Sequence, residues 1–283
     1  MLTDKLPLFL TCPKCLTLLF FPIFTNDNYY YYCKYCSLFT KWTYFSIISK
    51  SQLSFNLFEK ILFCYIQNKG LKDTLDYMKT HFKDNTFNKN TINHYFQVFN
   101  KITIKYYEEK LNTIMFDGSV EIDESFLYRI KRTKAIRKRY NSKSCWLFGI
   151  IQRETREFVI IPVLTRDEET LIPLILKYVQ IGATIYSDCF STYLKNNVFP
   201  KESKLIQYGY HHQWINHKVE FVSSYFSHVH TNTIERLWLT IKTDFRKKNI
   251  KKISYTHIAR FYFHHTLTED EQLDILMKEI LRE

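Results

Sequence analysis

The sequence contains little glycine, no long apolar run and an odd number of cysteines. Only 5 of its 283 residues are glycine, so flexible linkers are scarce. No stretch approaches the roughly 18 apolar residues of a membrane span, and the apolar run 6–10 is too short for a signal peptide. Seven cysteines argue against a closed disulfide framework. We therefore expect a soluble, intracellular protein with no membrane partner.

Apolar and basic residues are plentiful. The 24 Phe and 21 Tyr within a 46% hydrophobic composition exclude a disordered chain and predict a packed core. A chain of this length accommodates one catalytic core and one or two small modules. Forty Lys and Arg against 28 Asp and Glu give a net charge of +12, which favours a polyanionic partner, with nucleic acid as the first candidate.

Two Cys-x-x-Cys pairs lie in the first 45 residues. Cys12 and Cys15 form the first pair, and Cys33 and Cys36 form the second pair after 17 intervening residues. Each pair can present two thiolates from a tight turn, and two pairs complete the tetrahedral shell that a structural zinc ion prefers. Residues 1–45 are therefore predicted to be a zinc ribbon holding one structural, non-catalytic zinc. The alternative is four unrelated buried cysteines.

Residues 50–112 have helical periodicity, with apolar side chains recurring at steps of three and four. Two short helices are predicted at 71–80 and 90–99, which is a helix-turn-helix layout. The second helix would enter a major groove of DNA with four polar side chains: Thr91, Asn93, His94 and Gln97. A plain helical connector is the alternative interpretation.

Residues 118–250 alternate between strand and helix patterns. Strands are predicted at 120–123, 145–152, 158–164 and 183–186, and helices at 168–179 and 233–248. Strands first, then a helix and another strand, with acidic residues at strand ends, is the order of an α/β ribonuclease H-like core. Residues 251–283 are predicted to form a C-terminal helical tail.

Three acidic residues fall where such a core carries its chemistry. Asp123 lies on a strand with Ile122 facing the opposite side, Asp188 leaves the end of a later strand, and Glu235 begins a helix. Three carboxylates suit two Mg or Mn ions, which phosphodiester cleavage uses about 3.5–4 Å apart. Lys242 shares the helix face of Glu235 two turns later and could grip a phosphate.

Each of these residues also has an ordinary structural interpretation. Asp123 or Asp188 alone could be a turn residue at a strand end. Asn232 and Glu235 fit a capping box, with the amide as N-cap and the carboxylate three residues later. The ordered set of three favours the metal site over these separate interpretations.

Further basic residues extend the predicted DNA contact. Segment 129–143 holds eight Lys or Arg and no acid, for which phosphate binding, a nuclear import signal and a solvated loop are alternatives. The predicted DNA-binding residues are Arg129, Lys131, Arg132, Lys134, Arg137, Lys138, Arg139, His217, Arg236 and Arg246. The histidines between 211 and 230 match no compact zinc-ligand pattern, so DNA contact or structural hydrogen bonds are favoured for them.

The sequence resembles the Merlin superfamily of DDE transposases and its bacterial insertion-sequence relatives of the ISXO group. The likeness runs through segments 120–125, 146–149, 185–190, 209–210, 215–217, 221–222 and 230–238, with Tyr193, His212 and Lys242. It covers about residues 120–248, and an N-terminal zinc ribbon is also what such transposases carry.

The resemblance implies that Asp123, Asp188 and Glu235 are the catalytic metal ligands and that Lys242 accompanies them. Some bacterial relatives use an asparagine as third ligand, which makes Asn232 the alternative to Glu235. The implied activity is cleavage at transposon terminal inverted repeats and strand transfer into double-stranded target DNA, by at least a homodimer. The rivals are a domesticated, non-catalytic DNA-binding protein and a ribonuclease H-like nuclease without strand transfer. The site of action would be the nucleus in a eukaryote, and otherwise the cytoplasm.

Overall fold

A computed structural model describes residues 2–51, 53–82, 88–126, 146–195, 201–215, 229–250 and 253–281. The chain divides into two units. The first contains Met1–Tyr107 with Tyr262–Glu283, and the second contains Glu108–Phe261. Within the described ranges, none of the helices has both the length and the apolar character needed to cross a bilayer.

The first unit begins with two small antiparallel sheets. Strands β1 (Phe9–Thr11) and β2 (Leu18–Phe20) form a hairpin, and β3 (Ile23–Thr25), β4 (Asn28–Tyr32) and β5 (Phe39–Lys41) form a three-stranded sheet. Three-residue strands bury few side chains, so this region has little apolar core of its own.

Three helices follow: α1 (Phe55–Ile66), α2 (Leu71–His81) and α3 (Lys89–Thr113). The Ser54 side chain caps α1 by accepting a hydrogen bond from the Leu57 amide. Side chains at helical spacing, such as Phe58, Phe99 and Met78, fill their shared core. The expected polar turn between the second and third helices lies outside the described residues. The third helix continues well beyond the predicted 90–99.

The second unit is built on a five-stranded mixed sheet. Its strands are β6 (Ser119–Phe126), β7 (Trp146–Gln152), β8 (Phe158–Val163), β9 (Thr184–Asp188) and β10 (His211–Ile215), in the order β10-β9-β6-β7-β8. The first three strands run antiparallel as a meander, whereas β9 is parallel to β6 and β10 is parallel to β9.

Helices cover both faces of this sheet. Helix α4 (Glu168–Tyr178) packs Leu171 and Ile175 into the core that contains Ile122. Helix α5 (Asn232–Lys247) packs on the opposite face, against β6 and β7. Alternation along β6 therefore sends Ile122 into one core while its two neighbours face α5.

Two further helices end the chain. Helix α6 (Tyr255–Thr266) and helix α7 (Glu269–Leu281) fall within the predicted C-terminal helical segment. Ile280 and Leu276 of α7 are buried in the same core as Phe58 of α1. The last helix is thus part of the first unit and packs against α1.

Candidate active site and metal centre

Asp123 and Asp188 lie at corresponding positions on two neighbouring parallel strands. The register of β6 and β9 pairs Glu121 with Tyr186, and each aspartate is two residues further along its own strand. Because parallel strands run in one direction, both carboxylates fall at the same edge of the sheet. Glu235 lies in the first turn of α5, which covers that face.

The Asp123 carboxylate is in a poorly solvated and acidic environment. The indole Nε1 of Trp238 donates a hydrogen bond to its Oδ2 over 2.9 Å. Burial, followed by the charge of Asp188 and more weakly that of Glu235, raises the pKa of Asp123 to about 7. Asp188 and Glu235 therefore act electrostatically on Asp123, an arrangement that a bound cation would stabilise.

The acidic side chains are nevertheless more spread out than the four cysteines. Within the described part of the chain, only the cysteine cluster brings its ligand atoms within 4.8 Å of one another. Two ions about 3.5–4 Å apart do not require such closeness, because carboxylates that hold different ions stand on opposite sides of the pair.

Helix α5 begins differently from the capping box that its sequence suggests. Thr231 is the N-cap residue and Asn232 is the first helical residue, so the amide does not take the expected capping position. The Thr231 hydroxyl instead donates to Glu235 Oε1 over 3.3 Å. Asn232 and Glu235 are both exposed, and Lys242 is half-buried two turns later.

Glu121 is a second carboxylate on the face of Asp123, and its side chain is completely buried. Its Oε1 accepts a hydrogen bond from Arg153 Nε over 2.8 Å, and its Oε2 accepts one from the Ile234 amide over 2.9 Å. Strand alternation places Glu121 on the same side of the strand as Asp123, but the sequence alone indicated no role for it. The sequence feature that could have identified Glu121 is its position as a carboxylate two residues before Asp123 within an apolar strand.

Glu124 points to the other side of β6. It accepts a hydrogen bond from the Tyr193 hydroxyl, and Arg166 Nη1 lies 3.9 Å from its Oε2. Burial raises the pKa of Glu124 to about 8. The two adjacent carboxylates of this strand thus occupy different environments, and the sequence alone did not single out Glu124.

Gly149 allows α5 to approach the sheet closely. It is the register partner of Asp123 on β7. A β-carbon at this glycine would lie 2.7 Å from Cζ2 of Trp238 and 3.2 Å from Cδ1 of Ile234. The absence of a side chain at position 149 therefore makes room for the indole that binds Asp123.

Two of the described histidines in this region, His212 and His230, make structural contacts. His212 is buried, and its Nε2 and Nδ1 lie 2.9 Å and 2.7 Å from the hydroxyls of Ser187 and Ser203. Burial lowers the pKa of His212 to about 4, so the ring is neutral near pH 7. His230 lies 3.5 Å from Glu121. These contacts favour hydrogen bonding over a second zinc site.

The four cysteines of the first unit form a compact cluster. Their sulfur atoms lie within 4.8 Å of one another, with 3.5 Å between Cys12 and Cys36 and 3.3 Å between Cys15 and Cys33. Each pair sits in the same kind of turn, because the amides of Leu16 and Ser37 donate to the carbonyls of Cys12 and Cys33 over 2.9 Å. Four converging thiols in matched turns fit one tetrahedral zinc ion.

Only part of the predicted DNA-binding set lies in the described residues. Arg236 and Arg246 are exposed on α5. The basic residues from Arg129 to Arg139, and His217, lie outside the described residues.

One comparison with known proteins bears on this chain. A family model described as the ISXO2-like transposase domain matches residues 115–265, which is more than half of the chain and includes all three candidate acidic ligands. A search of curated proteins finds no match.

Proposed function

The chain belongs to the ISXO2-like transposase family, and from that premise we propose that it cuts DNA at transposon ends and joins the freed 3′ ends to target DNA. Membership implies DNA as the partner and divalent metal ions as cofactors. The specific centre proposed here consists of Asp123, Asp188 and Glu235 with two Mg or Mn ions.

The sheet supports a ribonuclease H-like core for this activity. Three antiparallel strands are followed, through a helix, by two strands parallel to the first, and α4 and α5 cover opposite faces. In this order the first and fourth strands are neighbours, which supports placing acidic residues at the same end of adjacent strands. The family match includes every strand of the sheet.

One observation carries the proposal: Asp123 and Asp188 lie at corresponding positions on neighbouring parallel strands. In addition, burial, followed by the charge of Asp188 and last that of Glu235, raises the pKa of Asp123, although the three residues are far apart in sequence. Carboxylate oxygens around the poorly solvated Asp123 suit hard divalent cations. The mutual repulsion that disfavours three ionised carboxylates becomes favourable attraction when cations lie between them. An amide at Asn232 would add no charge, which favours Glu235 as the third ligand.

The chain's own groups would hold and orient the reacting phosphate. When bound, the ions activate the attacking hydroxyl and stabilise the leaving oxygen. Lys242 shares the face of Glu235 and would grip a phosphate oxygen next to the scissile bond. Arg246 extends that basic surface by a further turn. The Trp238 indole would keep one oxygen of Asp123 engaged and fix the rotamer of its carboxylate.

The first unit would supply recognition of DNA. On α3, Asn93, His94 and Gln97 are exposed and Thr91 is half-exposed. The opposite side of the same turns is buried through residues such as Ile92 and Phe96. A recognition helix needs a polar face and buried residues that anchor it, and α3, which follows α2, has both. Pairing two transposon ends would require at least a dimer on DNA.

The first test is cleavage of a duplex carrying the inverted repeats of the element, with Mg²⁺ or Mn²⁺ as the only divalent ion. The wild-type chain should nick this duplex and join its ends to a plasmid. Asp188→Asn should lose nicking and retain DNA binding, because only a metal ligand is removed. Glu169→Gln, which changes an exposed carboxylate on α4, is the matched control.

The outcomes separate the candidate functions. Undiminished nicking by Asp188→Asn would remove Asp188 from the mechanism. Binding without cleavage under every divalent ion would favour a non-catalytic DNA-binding protein, and cleavage without joining would favour a nuclease. Comparing Glu235→Gln with Asn232→Ala would identify the third ligand, and we expect only Glu235→Gln to abolish nicking.

A further inference from the structure

We propose that Glu121 and Arg153 form a positioning pair that aligns the three elements carrying Asp123, Asp188 and Glu235. This inference rests on the proposed function, since it assigns a role around the same metal centre. Neither residue is placed among the metal ligands. Their role is to fix the relative positions of β6, β9 and α5.

Glu121 connects β6 to the start of α5. Its Oε2 accepts from the amide of Ile234, the residue before Glu235. The N-cap residue Thr231 makes no side-chain capping hydrogen bond, so the carboxylate of Glu121 serves a helix amide that the local sequence leaves without a cap. Asp123 follows two residues later on the same face, so a single strand both caps the helix and bears the first ligand.

Arg153 connects the same carboxylate to β9 and to the segment before α5. Its Nε donates to Glu121, and its guanidinium carbon lies 3.5 Å above the ring of Tyr186. Tyr186 is the register partner of Glu121 and lies two residues before Asp188. A second guanidinium nitrogen, Nη2, donates to the carbonyl of His230, just before the helix.

The pair thus contacts β6, β9 and α5, in each case within two residues of the proposed metal ligand on that element. Replacing a buried ion pair with apolar residues of similar size is often neutral for stability, so stability alone gives little reason for a pair here. Geometry gives a stronger reason. A catalytic group displaced by about 1 Å can lose about a hundredfold in rate, and groups that orient metal ligands typically affect affinity or activity by about 10–100-fold.

The test compares Mn²⁺ binding, followed by electron paramagnetic resonance, with Mn²⁺-dependent nicking. The variants are Glu121→Gln, Arg153→Lys and the apolar double variant Glu121→Leu with Arg153→Met. Glu168→Gln is the matched control, because it breaks a 2.7 Å contact with Lys204 in the same unit, away from the three elements.

We expect each single variant to weaken Mn²⁺ binding and slow nicking by about tenfold or more, with unchanged DNA binding. Arg153→Lys should be the milder change, because it keeps the charge but loses the stacking on Tyr186. The double variant should still fold and bind Mn²⁺ weakly, but it should unfold at a somewhat lower temperature than wild type because the Ile234 amide loses its acceptor. Its loss should be smaller than the combined single losses, because both changes disrupt one pair.

A double variant with wild-type Mn²⁺ affinity and nicking would overturn the positioning role. So would a Glu121→Gln variant that matches Glu168→Gln in both measurements. If either single variant fails to fold, the double variant decides the question, since it leaves no unpaired buried charge. A wild-type chain that binds Mn²⁺ without cutting DNA would refute the proposed function but not the positioning role. The Mn²⁺ affinities of wild type and variants, measured by electron paramagnetic resonance, would still test that role.

Discussion

Single residues decide how closely α5 can pack on the sheet. The packing around Gly149 leaves no room for a methyl group beneath Trp238. The Trp238 indole in turn donates a hydrogen bond to Asp123. The sequence predicted the opposite orientations of Ile122 and Asp123 because strand alternation is a local property. It did not predict roles for Glu121, Glu124 or Gly149, since their partners are brought together only by the fold.

Gly149→Ala should therefore damage both stability and the site. We expect a loss of about 1–3 kcal/mol in the free energy of unfolding, typical of an added methyl group in a packed core. The nicking rate should fall by more than the loss of folded protein would explain, because the displaced indole can no longer orient Asp123. Urea unfolding and the nicking assay measure the two effects.

The control for this change is Gly70→Ala, where the nearest atom to an added β-carbon is an oxygen of the Asp73 side chain at 3.2 Å. That side chain can turn away from the new methyl group. If Gly149→Ala were as stable and as active as Gly70→Ala, the close packing beneath Trp238 would not matter for the site.

At the scale of elements, the strongly periodic segments were predictable and those that depend on distant partners were not. Strands β7 and β8 and helix α4 lie within one or two residues of the predicted 145–152, 158–164 and 168–179. Strand β10 was missed, because His211–Ile215 is short and largely polar and gains its strand partners only beside β9. Helix α3 extends to Thr113 because buried positions such as Tyr107 continue its apolar face.

The predicted zinc ribbon is the element whose stability should depend most on a ligand. We expect one zinc ion per chain by elemental analysis of protein purified without chelators or oxidation. Removing the ion should expose residues 9–41 to amide hydrogen exchange, since strands of three to five residues cannot form a stable core alone.

Cys33→Ala should lower the zinc content sharply. Cys64→Ala should not, because Cys64 is equally buried but lies on α1 and outside the cluster. Purified wild-type protein free of zinc would reject the ribbon's metal site. Zinc retained fully by Cys33→Ala would exclude Cys33 as a ligand.

At the scale of the whole molecule, the net charge of +12 governs how the chain meets DNA. Binding should weaken steeply with salt, by about a thousandfold or more between 50 and 200 mM if about six phosphates are contacted. Fluorescence anisotropy with a labelled duplex over that range measures the slope of log affinity against log salt.

Arg246→Ala should reduce the magnitude of that slope by about 0.9, the value for one phosphate contact on duplex DNA. Lys177→Ala is the control, because Lys177 is exposed on α4, on the sheet face opposite α5. A slope unchanged by Arg246→Ala would remove Arg246 from the proposed DNA surface.

The start of α5 also has a consequence for biosynthesis. The carboxylate that meets the Ile234 amide belongs to a residue 113 positions earlier, and the first ligand lies between the two in sequence. A polypeptide still emerging from the ribosome must therefore complete both the strand and the distant helix before the proposed centre can form. Under the proposed function, a nascent chain that has not yet reached Glu235 would be unable to cut DNA.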